Sequence, residues 1–431
     1  MRDAKDIVAM VIDHGQFLPV AQKLGEQIKK CYYWSPAERS LKLIQEGVIG
    51  DGFESYERVD KDKSFWDYED EVDLWVFPDI GFSGEQRKLI RDGKSVWGSR
   101  GGDVLESDRG KFLKSLSAMG MEVPPHKKIK GLTNLRLFLK DEEDKYIKIS
   151  DWRGNFETFH WTNWGECEGE LDNYAVEFGP TKEHIMFYVF DPIDTEIEDG
   201  MDTYYVDGFP NIVLHGMECK DKSYIGCMTE WDKIPEQVRE TSELFAPALA
   251  AYDYRGFFAT EVRILPDKYY FIDTTNRAPS PPHQLQTELW GNYADIIWQG
   301  ANGNCIDPDP TAQFGVQALL SCSRNSKEWA AFKIPDSIKS NVKCGFCCEI
   351  DGRLVFPPHQ LETMCGYLTA TGDTIQKAIS NLQDCVKELP AGMKCEDKSI
   401  AELLKELQAA EEKGIEFSDQ KIPEPATVIN E

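Results

Sequence analysis

No stretch of this sequence is long and apolar enough to cross a bilayer. The run inside MRDAKDIVAMVIDHG is short, and nothing elsewhere approaches the ~18 apolar residues a spanning helix needs. The expectation is a soluble, non-exported, cytoplasmic protein with no membrane partner. Clustered basic residues are also lacking. Lys and Arg number 48 against 75 Asp and Glu, giving a net charge of −27, and a chain without basic patches cannot grip a phosphate backbone, which argues against a nucleic-acid partner. Acidity of this degree chiefly reports solubility. Twelve cysteines in 431 residues are too sparse for a disulfide scaffold and suit a reducing compartment. Cys344, Cys347 and Cys348 form a CxxCC cluster to which Cys322 or His359 could add a zinc ligand, but no second CxxC follows, so buried thiols on a strand are the better reading. The turn at 13–16 holds one glycine, too few for a dinucleotide fingerprint. No heptad seam or repeat points to an oligomeric state.

What is present begins with alternation. Strand-like runs at 7–12, 31–34, 72–77 and 95–98 are separated by helical spacing at 16–29 and 84–91, which predicts βαβ units and a parallel sheet. A helix is expected from Glu106, with Phe112, Leu116 and Met119 on one face and a stop at Gly120, so a boundary is placed at 105. Strands then dominate, at 146–149, 185–190, 203–206 and 212–215, interrupted by a helix over 235–252. Further on, strands are expected at 343–350, 354–356 and 366–370, and Asp373 with Gln376 reads as a capping box. Ile400, Leu403, Leu404 and Leu407 stripe a terminal helix, and the polar tail from Phe417 is expected to be flexible.

The most informative stretch is 260–282, TEVRILPDKYYFIDTTNRAPSPP. Glu261 and Arg263 alternate with Val262 and Ile264, as in a half-buried strand. A three-residue loop at 266–268 pairs Leu265 with Tyr269, Arg263 with Phe271 and Glu261 with Asp273. Opposed carboxylates repel. Either Arg263 or Arg277 neutralises them, or a divalent cation does, since Mg²⁺ is commonly held by one or two carboxylates plus substrate phosphates.

Other charges are individually weak signals. Lys148 projects opposite Ile147 and Ile149, and Arg109 and Lys111 lie on the helix at 108–119, where a solvated face explains them equally well. Their order is more telling. A helix opening Glu106-Ser107-Asp108-Arg109, a basic strand residue about forty positions later, an edge strand ending in an acid, and a carboxylate hairpin ending in Arg277 together resemble the ATP-grasp family. LESDRGKFLKSLSAMGMEVPP, YIKIS, MFYVFDPI, EVRI, FIDTTNR and GYLTATGDTIQKAI resemble segments of the phosphoribosylamine–glycine ligases within it.

The resemblance implies an α/β and α+β architecture: an N-terminal parallel-sheet domain over 1–105, a central domain over 106–302 in which two antiparallel sheets sandwich a nucleotide, a small mixed domain over 303–396, and a terminal helix and tail over 397–431. It implies ATP and Mg²⁺ as cofactors. Arg109 and Lys148 would bind phosphates, Val189 and Phe190 would offer backbone groups to adenine, Asp191 would lie near the ribose, Glu261 and Asp273 would hold metal, and Arg277 with Arg263 would serve catalysis. The implied reaction joins a small-molecule carboxylate to an amine through an acylphosphate. Several segments depart from the family pattern. Thr275 replaces the Asn of E-x-N-x-R, the loop DWRGNFET has a single glycine so that Trp152 and Arg153 would cover the phosphates, and DHGQFLPVA and APSPP stand where acceptor recognition is expected. An altered acceptor follows, for which Asp79, Arg100, Gly101 and Gly102 are candidates at strand ends. A non-catalytic nucleotide-binding or regulatory protein and an ATP-grasp phosphotransferase remain the alternatives.

Overall fold

The computed structural model describes residues 2–36, 48–60, 62–150, 158–195, 197–219, 222–326, 328–358 and 364–425. Its N-terminal sheet contains β1 (Val8–Ile12), β2 (Lys30–Trp34), β3 (Glu57–Arg58), β4 (Leu74–Val76) and β5 (Ser95–Trp97), all parallel, in the order β3-β2-β1-β4-β5. Continuous apolar runs such as VAMVI suit strands covered on both faces. Ala9 and Val11 pack with Phe17, Leu18 and Leu24 at helix α1 (Leu18–Gln27), while Met10 and Ile12 pack with Trp75, Phe77 and Leu89, the last on α2 (Ser83–Arg91).

The helix expected from Glu106 is two helices, α3 (Val104–Ser107) and α4 (Arg109–Ala118). Asp108 separates them because its carboxylate accepts the Lys111 N–H at 3.1 Å and caps α4. A four-stranded antiparallel sheet follows: β6 (His126–Lys130), β7 (Lys145–Ile149), β8 (Thr158–Trp161) and β9 (Met186–Phe190), in the order β6-β9-β7-β8. Its inner face packs Ile147, Ile149, Phe187 and Val189 against Leu135 of α5 (Leu132–Leu139) and Leu171 of α6 (Trp164–Glu177). Alternation sends Lys148 out of the opposite face. The strand carrying MFYVF is therefore not an edge strand as expected; it lies between β6 and β7.

The largest sheet begins with β10 (Glu198–Val206), β11 (Ile212–Cys219), β12 (Ser223–Glu230), β13 (Arg255–Ile264) and β14 (Tyr269–Thr275). It continues through β15 (Phe314–Ser321) into the C-terminal region, where β16 (Ala330–Phe332), β17 (Val342–Cys344), β18 (Cys348–Ile350), β19 (Arg353–Phe356), β20 (Met364–Gly372) and β21 (Lys394–Cys395) lie. The order is β14-β13-β10-β11-β12-β15-β20-β17, with β21 on β15, and β16, β19 and β18 form a separate small sheet. One sheet thus crosses residue 302 without a break. Phe245 of α7 (Glu236–Ala250) packs with Phe258, Val262 and Phe271 on one face. The chain also forms α8 (His283–Leu289), α9 (Tyr293–Ala301), α10 (Ile375–Lys387) and α11 (Ile400–Glu412), and α11 lies along β11 and β12.

Three local expectations need correction. The run at 343–350 is broken into β17 and β18 by Gly345 and Phe346, the latter at φ 49°. The cap of α10 is Thr374, whose hydroxyl accepts the Lys377 N–H at 3.1 Å, and not Asp373. Phe417 and Ile422 are buried, so the tail is packed over 417–425 where a loose segment was expected. Cys322, Cys344, Cys347 and Cys348 are buried free thiols, His359 lies outside the described residues, and no group of three or more potential metal ligands occurs among the described residues. No described helix is long and apolar enough to cross a membrane.

Candidate active site

Glu261 does stand opposite Asp273, but by a different route from the one expected. Leu265 N–H bonds to the Lys268 carbonyl at 2.8 Å, and Ile264, Arg263 and Val262 pair with Tyr269, Tyr270 and Phe271, one step from the predicted register. A β-bulge then inserts Ile272 and restores the pairing of Glu261 with Asp273. Val262 and Ile264 are buried while Glu261 and Arg263 share the opposite face.

Two cations from distant segments close on this hairpin. β14 is an edge strand, and Arg109 at the start of α4 reaches it, donating to the Ile272 carbonyl at 3.0 Å and to Asp273 Oδ1 at 2.9 Å. The Arg109 N–H bonds to Ser150 Oγ at 3.2 Å, which ties α4 to the end of β7. From β7, Lys148 Nζ donates to Asp273 Oδ2 at 2.6 Å. The solvated-face reading fails for both residues: their side chains are 4% and 15% exposed. Neither Arg263 nor Arg277 is the partner of Asp273. Arg263 pairs with Glu198 of β10 and donates to the Thr195 carbonyl at 3.4 Å. Arg277 donates to Glu106 Oε1 at 3.0 Å and to the Ala278 carbonyl at 3.0 Å.

The two opposed carboxyl groups are driven apart in acidity. Glu261 is pushed well above the usual carboxylate range by burial and by the like charges of Asp273 and Glu198. Burial also acts on Asp273, but Arg109 and Lys148 override it and hold that carboxylate well below the usual range. The two facing carboxyl groups are therefore displaced in opposite directions, Glu261 upward and Asp273 downward. Among the described residues no donor reaches the Glu261 carboxyl group. Two facing carboxyl groups, one without a donor, fit a Mg²⁺ that takes its remaining ligands from phosphate and water; they do not fit an all-protein cage.

The other sequence candidates divide. Val189 is paired on both sides, with Lys127 and Ile147, so the sheet takes up its backbone groups and the expected contact with adenine fails there. Phe190 is the last paired residue, and Asp191 follows with its carboxylate on Lys145 at 2.8 Å. Pro78 accepts the Ala278 N–H at 2.8 Å, which brings Asp79 beside the Arg277 segment, and the Gly102 carbonyl accepts Asn276 Nδ2 at 3.0 Å. Arg100 is engaged elsewhere: its guanidinium donates to Asp253 at 2.8 Å and to the Val96 and Ala301 carbonyls at 2.7 and 3.1 Å. Trp152 and Arg153 lie outside the described residues.

Three residues of the site were not singled out from sequence. Glu106 accepts the Asn276 N–H at 2.7 Å as well as Arg277, and Asn276 is fully buried. Asp13, at the end of β1, is buried and pushed up to about 7 by burial and by Asp79. An acid directly before a capped helix was the available signal for Glu106; nothing local reveals a partner 170 positions away.

No protein-family model and no curated sequence matches this chain. Solved structures do. A phosphoribosylamine–glycine ligase from Thermotoga maritima superimposes with a TM-score of 0.67 over 90% of this chain and 99% of its own, at 13% identity. An N5-carboxyaminoimidazole ribonucleotide synthetase from Thermus thermophilus gives 0.57 over 88% and 98% at 14% identity, and a biotin carboxylase from Campylobacter jejuni, solved as a complex with a β,γ-ATP compound, gives 0.59 over 92% and 94% at 15% identity. At such identities the likeness establishes architecture, and the architecture of this chain is the ATP-grasp fold, similar to that of phosphoribosylamine–glycine ligase.

Proposed function

We propose that this protein is an ATP-dependent ligase that joins a small-molecule carboxylate to an amine. The observation that carries this reading is the convergence of Arg109 and Lys148, from separate elements, on Asp273 opposite Glu261. Phosphate oxygens of ATP replace Asp273 as partners of Arg109 and Lys148, which align the triphosphate and spread the charge of the moving phosphoryl group. Glu261 and Asp273 would hold Mg²⁺, which when bound neutralises the phosphate oxygens. Arg277, fixed by Glu106, orients the substrate carboxylate. A carboxylate oxygen bonds to the γ-phosphorus as its bond to the β-phosphate oxygen breaks and ADP leaves. The amine then attacks the acylphosphate carbon, the carbon–oxygen bond to phosphate breaks, and the proton lost from nitrogen leaves on the departing phosphate. Asp79 and Asp13 near the Arg277 segment are acceptor-side candidates, and the DHGQFLPVA and APSPP segments point to an acceptor other than phosphoribosylamine.

A second reading, nucleotide binding without turnover, has one observation in its favour: Asp273 is already neutralised by two cations. ADP release from Mg·ATP, measured alone and with pools of amino acids, amines and phosphoribosylamine, separates the two. Acceptor-dependent ADP that disappears in Asp273→Asn supports the ligase. ATP binding with no ADP under any condition favours the second reading.

A further inference from the structure

An open cleft of about 640 Å³ lies between α2 and the turn after α7, and no residue of the β13–β14 hairpin lines it. Arg87, Arg91 and Arg100 line it together with Ile90, Tyr252 and Asp253. Arg87 and Arg91 are one helical turn apart, so their side chains leave α2 on the same face. Both are exposed, and neither makes a hydrogen bond or ion pair with a described residue.

The floor is built around a left-handed pair. Arg100 has φ 54° and Gly101 φ 115°, and the Arg100 N–H is fixed by Gln86 Oε1 at 2.7 Å. A Cβ at Gly101 would lie 3.7 Å from Tyr252 Cδ1 and 3.9 Å from Arg87 Nη1, so both side chains border this glycine. Arg100 is 6% exposed, and its Nε has no partner among the described residues. Asp253 is the one acidic side chain among the lining residues, against three guanidinium groups.

We propose that this cleft binds a small phosphate-bearing molecule, with Arg87 and Arg91 on the phosphate and the Tyr252 ring against the organic part. Planar guanidinium forks bind oxyanions in a bidentate manner, and two forks one turn apart suit a tetrahedral dianion better than a single carboxylate. The cleft is separate from the ATP site, and the proposal does not depend on the ligase reading.

Calorimetric titration of the full-length protein with inorganic phosphate, glucose 6-phosphate and citrate tests it, at near-physiological salt. Glucose 6-phosphate is expected to bind saturably and more tightly than free phosphate or citrate. The Arg87→Gln/Arg91→Gln protein, changed at exposed positions, should bind it about tenfold more weakly or worse, a loss of about 1.4 kcal/mol, whereas Lys148→Ala should bind as wild type does. Absence of saturable binding up to about 10 mM, a far weaker contact than charge-assisted pairs provide, would overturn the site. A loss in Lys148→Ala with none in the double variant would place the phosphate at the hairpin and overturn it equally. Tighter citrate than sugar phosphate would overturn the ligand class.

Discussion

Two sets of cations flank the segment from Arg100 to Arg109, and they are in opposite states. Arg109 and Lys148 are buried and joined to Asp273, whereas Arg87 and Arg91 are exposed and unpartnered among the described residues. Burial accounts for the difference, because a buried charge must be paired while a solvated one need not be. It also sets the cost of binding an anion. At the hairpin a phosphate must displace a carboxylate, so affinity is the difference between two similar interactions. In the cleft nothing has to be displaced.

The largest test of that contrast removes the carboxylates. Asp273→Asn or Glu261→Gln should lower Mg²⁺-dependent ADP release by about 10²–10³-fold or more while leaving the circular dichroism spectrum intact; full turnover in either variant would remove the metal assignment. Exchange makes a less obvious demand, that Asp273→Asn bind ATP more tightly than wild type when Mg²⁺ is chelated. Lys148→Ala should weaken ATP binding about tenfold or more, as expected for the loss of one charge-assisted contact, and unchanged affinity would detach Lys148 from the nucleotide.

Acidity sharpens the comparison further. Because Glu261 is raised by burial and by its acidic neighbours, a divalent cation must displace its proton, so Mg²⁺ affinity should climb with pH by up to about tenfold per unit below that raised value. A carboxyl group raised on folding takes up a proton on folding. It therefore weakens the fold above its unfolded value of about 4.3, increasingly until its folded pKa is passed. Asp273 has the opposite sign: its contribution is present above about 3.9 and is lost as pH falls through its lowered value. Glu261→Gln should accordingly melt above wild type at pH 7.5 without metal, by roughly 1 °C for each kcal/mol relieved in a chain of this length, and the gain should vanish in acid. The smallest effect belongs to the cleft, where Arg87→Gln/Arg91→Gln should shift unfolding free energy by less than about 0.5 kcal/mol.

Much of the fold is legible wherever one period persists. VAMVI reads as a buried parallel strand, and the alternation of Glu261 to Ile264 gives the correct faces. Legibility fails where a residue is satisfied from afar. Arg109 and Lys111 look alike in sequence, yet Arg109 is buried by a partner 164 positions away. β6 was missed because HKKIK buries only Ile129 and so carries no period. The extra residue at Ile272 is invisible because either register of the hairpin satisfies the same hydrophobic pattern near its tip. An edge strand ending in an acid was part of the expected order of elements, but a strand's position in its sheet is set by its neighbours rather than by its own residues.

The sheet that crosses residue 302 bears on how this chain can be divided. Cleaving between α9 and β15 would not release two self-sufficient halves; it would strip β15 from β12 and leave Ser223–Cys227, buried in the intact molecule, as a raw sheet margin. Such a margin pairs readily with other chains. An N-terminal fragment ending at 302 would accordingly be expected to aggregate, although it contains every residue named above at the hairpin. The C-terminal region is thus a seal on the sheet that carries the hairpin, and its loss would be felt first as insolubility.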